Sequence, residues 1–128
     1  MPLKRNVSYW EGLKYKGGGP MWAWILHRLS GLGILLFVGL HVLASFLTAQ
    51  FGSDAGITIN IIYESWAFQI IVYFSILFHA VNGLRVILLD FWPALLEYER
   101  EAVWAEWFVI VPVFGLATYI IITKAFGG

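Results

Sequence analysis

The chain has 128 residues, of which 60% are hydrophobic and 12% charged, and its formal net charge is zero at pH 7. A soluble domain carries about 25% charged residues, so this composition excludes an ordinary water-soluble globule, and the length allows one domain. No basic surplus exists to pair with phosphates, so nucleic acid is not an expected partner; no cysteine exists, so any metal ligand must be a histidine or a carboxylate.

Residues 1–20 read as a polar, cytoplasmic N-terminal tail, interfacial or bound to a partner. Lys4, Arg5, Glu11, Lys14 and Lys16 precede a Gly17–Gly19 tract and Pro20, which suits a position just before or at the start of a helix. A secretory signal is a poor reading, because the apolar run that follows exceeds the ~7–15 residues of such a segment. Residues 21–128 read as a transmembrane domain with three helices, at about 21–48, 62–90 and 103–125. Each run supplies the ~20 residues that cross a hydrocarbon core. The expected fold class is therefore an all-α membrane protein. Trp22, Trp24, Trp66, Trp92, Trp104 and Trp107 stand near the ends of the runs, as in an interfacial aromatic belt. Pro112 lies inside the third run, where a membrane helix tolerates it and where a kink is expected.

Lys and Arg set the orientation. Lys4, Arg5, Lys14, Lys16 and Arg28 lie at the N-terminal side, the 49–61 loop has no Lys or Arg, and Arg85 and Arg100 flank the second loop. The positive-inside rule puts the N-terminus in the cytoplasm and the C-terminus outside, with Lys124 dissenting. The second loop carries Asp90, Glu97, Glu99, Glu101 and Glu106. It reads as a solvated turn or as part of a docking face for a soluble partner.

Two stretches carry candidate chemistry: WILHRLSGLGILLFVGLHVLASFL and SILFHAVNGLRVILLD. At 100° per residue, His27, Gly31, Ile34, Val38 and His41 fall on one stripe of the first helix. Ser75, His79, Asn82, Gly83, Val86 and Asp90 share a face of the second, with Arg85 about 120° away. An ionisable side chain inside hydrocarbon costs a few kcal/mol or more, so it usually faces a site or a cavity. A neutral imidazole there suits a haem ligand, a zinc ligand, a proton path or a hydrogen bond to a neighbouring helix. His79 is the better haem candidate, because Gly83 one turn on leaves room for a flat macrocycle. Counting from the middle of each run, His41 and His79 differ in depth by about 15 Å, too far to share one iron. The His27, Arg28 and Ser30 cluster is suited to haem propionates and a quinone carbonyl, or to interfacial snorkelling. Gly31, Gly33 and Gly39 are candidate close-packing positions.

HRLSG at 27–31 and FHAVNGLRVILLD at 78–90 resemble the cytochrome b membrane anchor of succinate dehydrogenase (complex II), the first of that complex's two anchor subunits, over about residues 21–124. The resemblance implies a haem-binding bundle completed by a second membrane-anchor subunit. It makes His79 the axial ligand of haem b, with the other ligand a histidine of that second anchor. His27 and Arg28 would lie near a propionate, Arg28 and Asp90 near quinone, and Ser30 within the motif. Gly83 would border the haem. Iron–sulfur and flavoprotein subunits would dock on the cytoplasmic face, and a trimer of heterotetramers is one assembly the resemblance allows. The wording of both motifs is closest to the menaquinone-linked branch. Two departures stand out: Trp24 occupies a position where many members have a quinone-contacting Ser, so a Trp wall of the pocket is expected instead, and Val86 stands where many have His. His41 has no counterpart in single-haem members. Two-haem members use a first-helix histidine for a distal haem, which makes His41 a second metal-ligand candidate. The same architecture run in reverse is a fumarate reductase, and a haem-free anchor is a third reading.

Overall fold

The computed structural model describes residues 8–14, 16 and 18–127. Lys4 and Arg5 of the expected tail lie outside the described residues. The elements are α1 (Tyr9–Lys14), α2 (Gly18–Phe51), α3 (Asp54–Tyr63), α4 (Trp66–Phe91), a 3-10 turn (Pro93–Tyr98) and α5 (Glu99–Phe126). No strand occurs among the described residues. Three segments, Gly18–Phe51, Trp66–Phe91 and Pro93–Phe126, are long and apolar enough to cross a membrane. In hydrocarbon only a helix or a closed barrel satisfies the backbone, so apolar runs of this length form helices.

The short elements follow local rules. Ser8 and Glu11 form a reciprocal cap on α1. The Ser8 N–H donates to Glu11 Oε2 at 3.0 Å and the Glu11 N–H donates to Ser8 Oγ at 3.2 Å. These bonds, the backbone one first, hold the Glu11 carboxyl below its ordinary value. Pro20 lies in the first turn of α2, where its missing N–H costs no helical bond. Gly52, at φ 60°, ends α2 in the left-handed region that favours glycine, and its N–H donates to the Thr48 carbonyl at 2.9 Å. Ser53 then caps α3, its Oγ accepting the Gly56 N–H at 3.3 Å.

α3 corrects the sequence-based expectation. Residues 54–63 form a separate helix, and the second long helix starts at Trp66 rather than near 62. α3 lies close on α2: a Cβ at Gly56 would sit 2.7 Å from the Ala44 carbonyl oxygen and would also collide with Thr48. Ala44 is 1% exposed. Only two small residues facing each other let the backbones approach this closely.

α4 is the central helix, packed on α2 along one side and on α5 along the other. Ala23, Phe78 and Ile110 form the core of the bundle, with Leu26, Phe74, Trp107 and Phe114 around them. Phe78 meets Trp107 at 5.5 Å between ring centroids, and Phe74 meets Phe114 edge-on at 5.1 Å. α5 runs through Pro112 as one continuous helix. Of the three glycines expected at close contacts, Gly31 and Gly33 face α4, whereas Gly39 faces open space.

Candidate functional site

The site begins with four residues of α2. The helix repeat points His27, Ser30 and Gly31 toward α4, while Arg28 points outward. His79 comes from the facing side of α4. The His27 and His79 rings stack, 4.1 Å between centroids and 10° between planes. His79 Nδ1 lies 3.2 Å from the His27 carbonyl oxygen and 3.3 Å from Ser30 Oγ. The Ser30 hydroxyl donates to that same carbonyl at 2.8 Å. His79 Nε2 bonds to no described residue and is not enclosed, so it opens onto the surface of the bundle.

The two glycines are used reciprocally. A Cβ at Gly31 would sit 3.0 Å from His79 Cε1, and one at Gly83 would sit 3.7 Å from His27 Cε1. Within this chain the space over Gly83 is therefore taken by the His27 imidazole, not left open for a macrocycle. His27 Nδ1 is buried without a partner among the described residues.

The other expected site residues are spread around this centre. Arg28 is exposed, its guanidinium 4.1 Å over the Trp24 ring. Ser30 is 200° further round α2 from Arg28, at 100° per residue, so the two do not face one pocket within this chain. Asp90 is exposed and, 11 positions from His79, lies about 16 Å further along α4. His41 is exposed, with its ring 5.9 Å from Tyr63. It lines an apolar groove of about 380 Å³ with Phe37, Tyr63, Gln69 and Tyr73. Because His27 and His79 are level, the 14 positions from His27 to His41 separate His41 from His79 by about 21 Å along the bundle. The sequence-based figure of about 15 Å is too short because it takes the middles of the two helices as level, whereas the stacked pair sets His27, near the start of α2, level with His79, near the middle of α4.

Sequence reasoning missed one feature. Arg85 Nε donates to Glu106 Oε2 at 2.9 Å, with the two side chains 11% and 1% exposed. Arg85 Nη2 also donates to Asn82 Oδ1 at 3.0 Å, and Glu99 stands 4.0 Å away. Glu106 is thus buried between α4 and α5, not in a solvated turn, whereas Glu97 and Glu101 are exposed as expected. The signal was present: opposite charges inside two apolar runs suggest a pair. Among the described residues no three histidine or carboxylate side chains converge on a metal site.

Taken together, these features define a multi-pass helical membrane protein with an imidazole pair inside its bundle. The family described as succinate dehydrogenase/fumarate reductase transmembrane subunit matches residues 4–122. A curated relative, the succinate dehydrogenase 2 membrane subunit SdhC of Mycobacterium tuberculosis (strain ATCC 25618 / H37Rv), is 34% identical over 96 residues. The match covers 70% of this chain and 68% of the relative. The chain belongs to the succinate dehydrogenase/fumarate reductase transmembrane-subunit family.

Proposed function

We propose that the chain is the cytochrome b anchor of a succinate:quinone oxidoreductase, holding haem b through His79 Nε2 and forming part of the quinone-reduction site. The observation that carries this reading is the state of His79. Its Nδ1 is engaged by a backbone carbonyl, and its Nε2 is free at the surface of an apolar bundle. Metal-bound histidines characteristically use their second nitrogen in this way. His27 is stacked against the His79 ring and His41 lies about 21 Å along the bundle, so this reading takes the second axial histidine from a second anchor subunit. Bound haem b supplies one-electron redox chemistry whose potential depends on its ligands and surroundings.

The chain's own residues do the rest. Arg28, held over Trp24, presents N–H donors for a quinone carbonyl at the membrane surface. Asp90, exposed at the far end of α4, holds and passes a proton toward that region from the cytoplasmic side. His27 stands between the His79 ring and the Gly83 backbone, and its accessible Nε2 serves a haem propionate. Menaquinone is the expected quinone. The protein sits in the cytoplasmic (inner) membrane with its N-terminus inside and its C-terminus outside. The iron–sulfur and flavoprotein subunits dock on the cytoplasmic face, and succinate is oxidised in the latter. A distal haem at His41 is the second element of the reading, supported by the apolar groove beside it and by the axial distance from His79. The family description covers both directions, and quinol-to-fumarate electron flow would use the same residues.

The test is haem per flavin, with the reduced-minus-oxidised spectrum, in the purified complex. Wild type, His79→Ala and His41→Ala are compared. Loss of one haem per flavin is expected in His79→Ala, and loss of the other in His41→Ala. One haem unchanged by His41→Ala returns that residue to packing against Tyr63. A colourless wild-type complex sinks the cytochrome reading and leaves an anchor beside a quinone pocket.

A further inference from the structure

We propose that the 27–31 segment is a cradle that selects the tautomer and ring plane of His79, with Ser30 and Gly31 as its positioning residues. The inference rests on the reading of His79 as a haem ligand and assigns the groups that orient that ligand to one stretch of α2.

The hydrogen bonds decide the tautomer. Both oxygens near His79 Nδ1 are able to accept: the His27 carbonyl at 3.2 Å and Ser30 Oγ at 3.3 Å. The hydroxyl proton of Ser30 has a shorter acceptor, the His27 carbonyl at 2.8 Å. A carbonyl oxygen has two lone pairs, so one bond does not saturate it, and the serine oxygen keeps its own lone pairs for Nδ1–H. A bare Nδ1 would set its lone pair against that carbonyl. The proton therefore belongs on Nδ1, which makes Nε2 the ligating nitrogen.

Gly31 decides the ring plane. The Cβ that any other residue would carry comes within 3.0 Å of His79 Cε1 and 3.4 Å of Nδ1. The absent side chain is the space that the imidazole edge fills. Ser30, 6% exposed, is buried against α4 rather than turned to the outward face that carries Arg28. A hydroxyl followed by no side chain thus aims the histidine of the next long helix.

The experiment uses the purified complex and reads the haem midpoint potential and the low-spin electron paramagnetic resonance signature. An acceptor on Nδ1–H increases the donor strength of the imidazole, so its loss shifts the potential upward. Ser30→Ala is expected to shift the midpoint potential with haem content unchanged, and Ser30→Thr to bring it back toward wild type. Gly31→Ala is expected to shift the resonance signature through ring rotation, or to lower haem occupancy. If Gly31→Ala does not assemble, the Ser30→Ala and Ser30→Thr pair decides. Wild-type potential and signature in Ser30→Ala, in a complex that loses one haem per flavin on His79→Ala, overturn the cradle alone. Haem per flavin unchanged in His79→Ala overturns the ligand reading, and the cradle with it.

Discussion

Arg85 and Glu106 hold opposite charges 2.9 Å apart between α4 and α5, where little water reaches them. Such a pair contributes modestly as a whole, because both ions were taken out of water, but removing one partner leaves the other uncompensated. Glu106→Ala is expected to destabilise the bundle by about 3–5 kcal/mol, read as a lower Tm of the complex in detergent. The double substitution Arg85→Met with Glu106→Leu should recover most of that loss, since it removes both charges at similar volume. At the opposite, exposed side of α2, Arg28 rests on Trp24. An exposed cation–π contact is worth about 0.5–1 kcal/mol. Trp24→Leu is accordingly expected to raise the quinone KM about two- to five-fold, while succinate oxidation with a water-soluble artificial acceptor is unchanged. Arg28→Lys should cost more, because an ammonium does not reproduce the planar fork of donors.

At the scale of elements, α3 is pinned to α2 by the Gly56–Ala44 approach and by the Ser53 N–H, which donates to the Leu47 carbonyl at 3.4 Å. The atom that a Cβ at Gly56 would meet first along the backbone is the Ala44 carbonyl oxygen, which does not swing away as a side chain tip would. Gly56→Ala is expected to cost about 1–3 kcal/mol by overpacking, measured as a drop in Tm. The loss should extend to the His41 groove, since Tyr63 at the end of α3 forms one of its walls. Pro112 behaves differently. It lacks an N–H, so the Phe108 carbonyl four residues earlier has no helical donor from it. α5 is nevertheless continuous there, and Pro112 is exposed. Pro112→Ala is expected to leave assembly and Tm unchanged or slightly improved.

For the whole molecule, the outer faces of the three long helices are apolar: Leu29, Leu32, Leu35 and Leu36 on α2 and Trp104, Phe108 and Val111 on α5 are exposed. A soluble monomer does not carry so much contiguous apolar surface, and here lipid or other helices cover it. His79 Nε2 lies on this surface, which is where a second anchor would complete a haem site. The proposed orientation follows from the lysines and arginines gathered at one end of the bundle. A C-terminal alkaline phosphatase fusion is expected to be active and a C-terminal fluorescent protein dark; the reverse pattern would place the C-terminus in the cytoplasm.

How far the chain could be read in advance depends on the kind of information each feature needs. The three apolar runs were legible, because spanning length and the cost of unpaired backbone in lipid are local properties. His27 and Gly31 were legible as one stripe of α2 and His79 as part of one face of α4, because 100° per residue says which face of its own helix a residue occupies, whereas Ser30 was grouped with Arg28 and not with His79. The axial offset between helices was not legible. It depends on how far α4 is slid along α2 and α5, which the lengths and midpoints of the apolar runs do not encode. That offset set His27 and His79 level and stacked and brought the Ser30 hydroxyl to the His79 imidazole. It also matched Arg85 to Glu106 across two helices. Sequence alone thus determined the membrane class and the chemical inventory of the site. Tertiary packing decided which polar groups meet, because ridges of side chains interlock at only one register and a single turn of slip replaces every partner.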